Sequence, residues 1–126
     1  MPVKIICRQS PANFPLEKTE ILSKNEEVIV CALCNHRITD PLQQIIINQS
    51  FNHIFVNPHG HIYEIGCFSH ASGCHPASVP SDEFSWFIGY SWQICFCDMC
   101  STHLGWYFTS ELNRFWGLIL KKLIFP

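Results

Sequence analysis

The chain is poor in charge: only 14% of its 126 residues are Asp, Glu, Lys or Arg, and ten acidic against eight basic residues leave a formal charge of −2. It has no run of cations longer than Lys121-Lys122. A nucleic-acid surface needs a basic stripe or groove, so its absence argues against such a partner. Long apolar runs are missing too. No stretch approaches the roughly 20 residues that span a bilayer. Between Met1 and Pro15 the apolar residues are interrupted by Lys4, Arg8 and three prolines, which does not read as an export signal. A cytoplasmic protein with no nucleic acid and no membrane among its partners is the expectation. Helical periodicity never persists beyond two turns, and nothing repeats internally, which excludes bundles and solenoids.

Cysteine and large aromatics are abundant instead. Eight cysteines include two Cys-x-x-Cys pairs, Cys31-Ala-Leu-Cys34 and Cys97-Asp-Met-Cys100, far apart in the chain. With no export signal, metal binding accounts for such pairs better than disulfides or a redox dithiol, which remain the alternatives. Each pair can present two thiolates at about 2.3 Å from one tetrahedral ion, and four thiolates leave no open coordination position. The expected cofactor is therefore one structural Zn2+ on Cys31, Cys34, Cys97 and Cys100. Cys95 shares parity with Cys97, so an exchange of ligand between them stays open. Cys7, Cys67, Cys74 and Cys95 otherwise read as small buried residues.

The aromatics concentrate in Ser85-Trp-Phe-Ile-Gly-Tyr-Ser-Trp92 and His103-Leu-Gly-Trp-Tyr-Phe108. Residues of equal parity in an extended chain point to one face of a sheet. On that reading Trp86 and Trp92 share one face, as do Trp106 and Phe108, and the four rings form a small-molecule cage. Trp116 reads as core, and His53 and His103 as structural histidines.

Mostly β structure follows from the remaining pattern. Strands are expected over Glu27–Cys31, Gln44–Ile47, His53–Asn57, His61–Phe68, Phe84–Phe96, Leu104–Thr109 and Phe115–Leu123. Pro58-His-Gly60 marks a hairpin turn. Ser69–Glu83, rich in serine and proline, reads as a long loop. Residues 1–24 read as an N-terminal arm, and residues 25–126 as a single domain.

With these residues in view, the chain resembles the CULT domain, the thalidomide-binding domain of cereblon and of small bacterial relatives. The resemblance runs from about Cys31 to about Leu123. It rests on Cys31-x-x-Cys34, His53-x-Phe-Val-Asn-Pro-His-Gly60, Ser85-Trp-Phe-x-Gly-Tyr-x-Trp92, Cys97-x-x-Cys100, His103-Leu-Gly-Trp106 and Phe115-Trp-Gly-Leu118. It implies a β-tent, two antiparallel sheets pinned near a structural four-cysteine zinc site. It also implies binding of cyclic imides such as glutarimide, and of related rings such as uracil and uridine. By similarity Trp86, Trp92 and Trp106 are the cage walls, Phe108 the floor, and Asn57 the polar residue at the edge. The family has a histidine where this chain has Phe84, and the backbone of Phe84 and Ser85 is expected to keep the imide contact. A peptide or protein terminus bearing a cyclic imide would be a partner of the same chemistry.

Two rival readings remain. The same zinc-pinned fold resembles the methionine-R-sulfoxide reductases, which would make Cys67 or Cys95 a nucleophile near His103. An aromatic cage could alternatively hold a quaternary ammonium ion.

Overall fold

The computed structural model describes residues 27–126, and the expected N-terminal arm lies outside them. Its nine strands are β1 (Ile29–Cys31), β2 (Arg37–Thr39), β3 (Asn52–Val56), β4 (Ile62–Phe68), β5 (Cys74–Pro76), β6 (Ser91–Cys97), β7 (His103–Thr109), β8 (Arg114–Ile119) and β9 (Leu123–Ile124). They form two antiparallel sheets. A small one has the order β2-β1-β9, and a six-stranded one has the order β3-β4-β8-β7-β6-β5. No α-helix occurs among the described residues, and none of their helices could cross a membrane.

Alternation along the large sheet divides its residues between two faces. Cys67, Gly117, Trp106 and Ile94 lie in register across β4, β8, β7 and β6, and so share one face. Ile65, Phe87, Phe108, Phe115 and Ile119 complete a buried cluster on that side. On the opposite face, Leu118, Gly105 and Cys95 lie in register. There Leu118 and Cys95 join Ile29, Ile38, Phe68, Leu104 and Leu123 in a second buried cluster, beneath the small sheet. The sheet thus separates a ring-rich side from a metal-side core. At one step the strands approach too closely for any side chain: a Cβ on Gly105, whose φ is +153°, would lie 2.1 Å from the Gly117 carbonyl oxygen. Only glycine fits there.

Four expected elements are corrected. Gln44–Ile47 is no strand. Gln44 makes one bridge to Phe68, and Ile47 closes a tight turn with Ser50 through Asn48 and Gln49, both at positive φ. The run is too short to pair along its length, because Pro41 has already set a 3-10 turn capped by the Asp40 carboxylate (2.9 Å from Leu42 N). Ser69–Glu83 is not all loop: Cys74–Pro76 forms β5 on the edge of β6. Phe84–Phe96 is extended only from Ser91. Before it, Phe84 (φ 55°) and Gly89 (φ 87°) bend the chain into turns. In addition, Phe115–Leu123 is two strands, β8 and β9, joined by a 3-10 turn over Leu120–Lys122.

Candidate functional site

The two Cys-x-x-Cys segments fold into the same loop. In the first, Cys31 N donates to His36 O (2.9 Å) and Asn35 N to Cys31 O (2.8 Å). In the second, Cys97 N donates to Thr102 O (2.9 Å) and Ser101 N to Cys97 O (3.0 Å). The residue after each second cysteine, Asn35 and Ser101, takes a left-handed φ of 66° and 63°. That conformation turns the loop back, so both sulfurs of a pair face one point. The pairs meet with Cys31 Sγ 3.7 Å from Cys100 Sγ, and Cys34 Sγ 3.6 Å from Cys97 Sγ. All four ligand atoms lie within 4.8 Å of one another. A tetrahedron with legs of about 2.3 Å has edges of about 3.8 Å, so the sulfurs fit one ion. The Thr102 hydroxyl, 3.0 Å from Cys100 Sγ, holds that thiol down to about 6, whereas desolvation pushes Cys34 up to about 12 and raises Cys97. Met99 N supports Cys97 Sγ from 3.4 Å. Cys95 is not in the group. It keeps its parity with Cys97 along β6, since the extra residue at the bulge is Leu104 of β7, but it lies two residues short of the loop and packs beside Cys74 in the buried core instead.

On the other face of the large sheet lies a cleft of about 590 Å³. Trp106 and Phe108 from β7 and Trp92 and Ile94 from β6 form its sheet side, as their parity requires. Trp86 reaches the cleft from the turn before β6, with its ring 4.7 Å from Trp106 and nearly perpendicular to it. It also stacks on Phe55 at 4.8 Å. Such edge-to-face and stacked contacts fix ring planes more tightly than burial alone. Trp106 and Phe108 are almost wholly buried, whereas Trp86 and Trp92 are half-buried walls.

Two indole N–H groups tie the rim together. Trp86 Nε1 donates to Val56 O (3.2 Å), at the end of β3 and next to Asn57. Trp92 Nε1 donates to Glu83 O (2.8 Å), one residue before Phe84. Phe84 is thereby pinned at the mouth with its side chain 74% exposed. Among the described residues nothing bonds its own N–H or C=O. Asn57 lines the cleft, but its Oδ1 accepts from His59 N (3.0 Å) and His61 N (2.9 Å), which closes the hairpin turn. Ser85 is not in the main cleft. Its hydroxyl bonds Phe87 locally, and it lines an adjoining groove with Val56, Asn57, Pro58, Phe84 and Trp86.

Sequence reasoning missed Tyr63, His59 and Glu83 as lining residues, and took His103 as structural only. Tyr63 was findable: it lies opposite Phe55 in the β3–β4 hairpin, and so shares the cage face. Its ring meets Trp106 at 5.0 Å. His103 holds Gly105 O through Nε2 (3.1 Å) while standing against Trp106. Burial, helped by Lys122, keeps its pKa below the ordinary 6.5. Trp116, expected as core, is half-buried on the opposite face against Tyr107. Neither cysteine of the enzyme reading reaches the cleft. Cys67 and Cys95 are fully buried, and burial pushes Cys67 up to about 12. Such thiols stay protonated and lack the activation a nucleophile needs.

Comparison with known proteins now decides the family. The chain is 34% identical over 113 residues to protein cereblon of Gallus gallus, covering 86% of this chain and 22% of that protein. Against cereblon of Xenopus tropicalis it is 34% identical over 124 residues, 94% of this chain and 23% of the relative. Cereblon of Danio rerio is 41% identical over 75 residues, 56% of this chain and 17% of the relative. The chain is a cereblon-like CULT domain. No protein-family model matches it. The chain spans about a fifth of the length of the cereblons it matches.

Proposed function

We propose that this CULT domain is a binding module for cyclic imides of the glutarimide type and for related rings such as uracil and uridine, and that it is not an enzyme. The carrying observation is the junction of three indole walls with a backbone at the mouth that has no partner among the described residues. Trp86, Trp92 and Trp106 stand over Phe108, while Phe84 presents an N–H and C=O that no described residue bonds, in a left-handed turn held by Trp92. A planar imide has two carbonyl acceptors flanking one N–H donor. Apolar rings enclose its aliphatic edge, and backbone groups at the rim pair with its polar edge. In so dry a site an analogue without the N–H leaves a polar group unpaired, which costs about 1–3 kcal/mol.

Zn2+ is the proposed metal, one ion bound by Cys31, Cys34, Cys97 and Cys100 in a purely structural role. A cytoplasmic site of action, where thiols are kept reduced, suits four thiolate ligands. A polypeptide terminus carrying a cyclic imide fits the same chemistry as a free metabolite does. Because the chain matches only part of each cereblon, no role of those larger proteins is transferred with it.

Tryptophan fluorescence tests the reading directly. Glutarimide, succinimide and uridine are expected to quench saturably, with Kd on the order of micromolar to millimolar. N-methylglutarimide, and the Trp106→Ala variant, are expected to give no saturable signal. Glu83 brings a carboxylate to the cleft, so tetramethylammonium belongs in the same titration. Quenching by that cation alone would reject the imide reading in favour of an ammonium cage. A fast-reacting thiol in the zinc-loaded protein would revive the reductase.

A further inference from the structure

We propose that the outer edge of β3 docks an extended peptide as an added strand and leads one end of it to the rim of the cage. The register decides which backbone groups are free. Asn57 N bonds His61 O and Cys67 N bonds Phe51 O, so the odd-numbered residues of β3 face β4. Its even-numbered residues turn their N–H and C=O outward. Two of these groups are already used, Asn52 O by the Ser50 hydroxyl (2.6 Å) and Val56 O by the Trp86 indole (3.2 Å). Between them the N–H and C=O of Ile54 and the N–H of Val56 have no partner among the described residues. That is the donor–acceptor pattern one incoming strand completes.

Among the described residues, the protection normal to such an edge is missing. The opposite edge of the same sheet is β5, only three residues long and ended by Pro76. Strand β3 has five residues and contains neither proline nor lysine. Its outward face instead shows Ile54 and Val56, at 66% and 55% exposure, beside Ile62 of β4 at 67%. An open strand edge bordered by aliphatic side chains is a template for pairing. The small sheet lies over the other end of the same face and leaves these three uncovered.

Continuity with the cleft selects the occupant. Val56 ends β3 and also lines the groove that runs past Pro58 and Phe84 to Trp86. A strand laid along β3 therefore reaches the cage rim without a turn. A peptide with apolar residues at alternate positions would cover Ile54, Val56 and Ile62 while pairing with Ile54. That its end enters the cage rests on the imide reading above; the strand addition does not.

The test compares a pentapeptide of alternating valine and threonine, ending in a 3-aminoglutarimide, with N-acetyl-3-aminoglutarimide alone. The peptide is expected to bind at least about tenfold tighter, in keeping with main-chain pairing as the source of affinity. N-methylation of its alternate amides should abolish the gain. Ile54→Pro should abolish it too, since its N–H points outward and proline is tolerated at such an edge. Ile54→Val should keep it. Unchanged affinity of Ile54→Pro for the acetylated imide would show that the variant folds. Equal affinity of peptide and imide overturns the docking edge and leaves the cage reading intact. If the imide alone does not bind, the cage reading fails, and amide exchange judges the edge with the unmodified peptide. Slower exchange at Ile54 and Val56 on adding that peptide supports docking; no change overturns it. Protection of both amides in the protein alone would mean an edge already filled by this chain or a second copy, and would equally overturn the proposal.

Discussion

The four-cysteine centre, which could hold a metal ion, and the aromatic cage lie on opposite faces of one sheet, and they are specified in different ways. The centre is built twice from one short loop, so four residues and two left-handed positions, Asn35 and Ser101, define it. The cage draws on the β3–β4 hairpin, the turn over residues 84–90, β6 and β7. A local motif tolerates distant change, whereas an assembled one depends on every segment that delivers a wall.

Removing a ligand of the metal tests that contrast most severely. Cys97→Ser, or chelation of the wild type, should cost most of the folding free energy, since structural zinc supplies on the order of 10 kcal/mol in small domains. Loss of the cooperative thermal transition, with one zinc per chain by elemental analysis beforehand, is the expected result. An unchanged melting temperature after chelation would break the assignment.

Trp106→Ala should leave the metal bound yet cost about 3–5 kcal/mol of stability through the cavity left in a buried cluster. Denaturant unfolding measures the loss, and the ligand titration should go flat. Gly105→Ala strikes both faces at once. A Cβ driven against the Gly117 carbonyl, at a backbone angle suited to glycine, should cost about 2–4 kcal/mol and weaken both zinc retention and ligand binding. An effect on only one of the two would mean that the sheet relaxes locally.

Trp92→Phe keeps an aromatic wall but removes the 2.8 Å bond to Glu83 O. About 1 kcal/mol of stability should go with that bond, and ligand affinity should fall severalfold as the Phe84 turn loosens. The smallest effect concerns pH. His103 is held below its ordinary 6.5, so the unfolded chain takes up a proton more readily. Its contribution to stability is then complete above pH 6.5 and declines as pH falls below that value. A two-dimensional NMR titration should place His103 below 6.5, and His103→Phe should flatten this part of the acid limb.

The grouping of the four cysteines was legible in the sequence, because spacing within a Cys-x-x-Cys loop is itself the geometry. Trp92, Trp106 and Phe108 were legible for a related reason: strand parity orients them. The same argument brought Trp86 to the cleft by a mistaken route, since its segment is a turn and not a strand. Tyr63 was within reach of the same reasoning, since the expected hairpin turn at Pro58-His-Gly60 sets it opposite Phe55, and only the register of that hairpin had to be worked out. Strand β5 escaped notice because Cys-His-Pro has no alternating pattern, and its extended shape comes from pairing with β6. In the other direction, Gln44–Ile47 had the composition of a strand, but its pairing with the end of β4 stops at Gln44 and Ile45, before the Ile47–Ser50 turn.

The indole bonds from Trp86 to Val56 O and from Trp92 to Glu83 O have a kinetic corollary. Two of the three indole walls are thus also latches on the rim, closed by the fold itself and not by the guest. A ligand then meets a cavity already set, and little ordering is left for the moment of capture. Rings of different fit should enter at similar rates and differ in how long they stay.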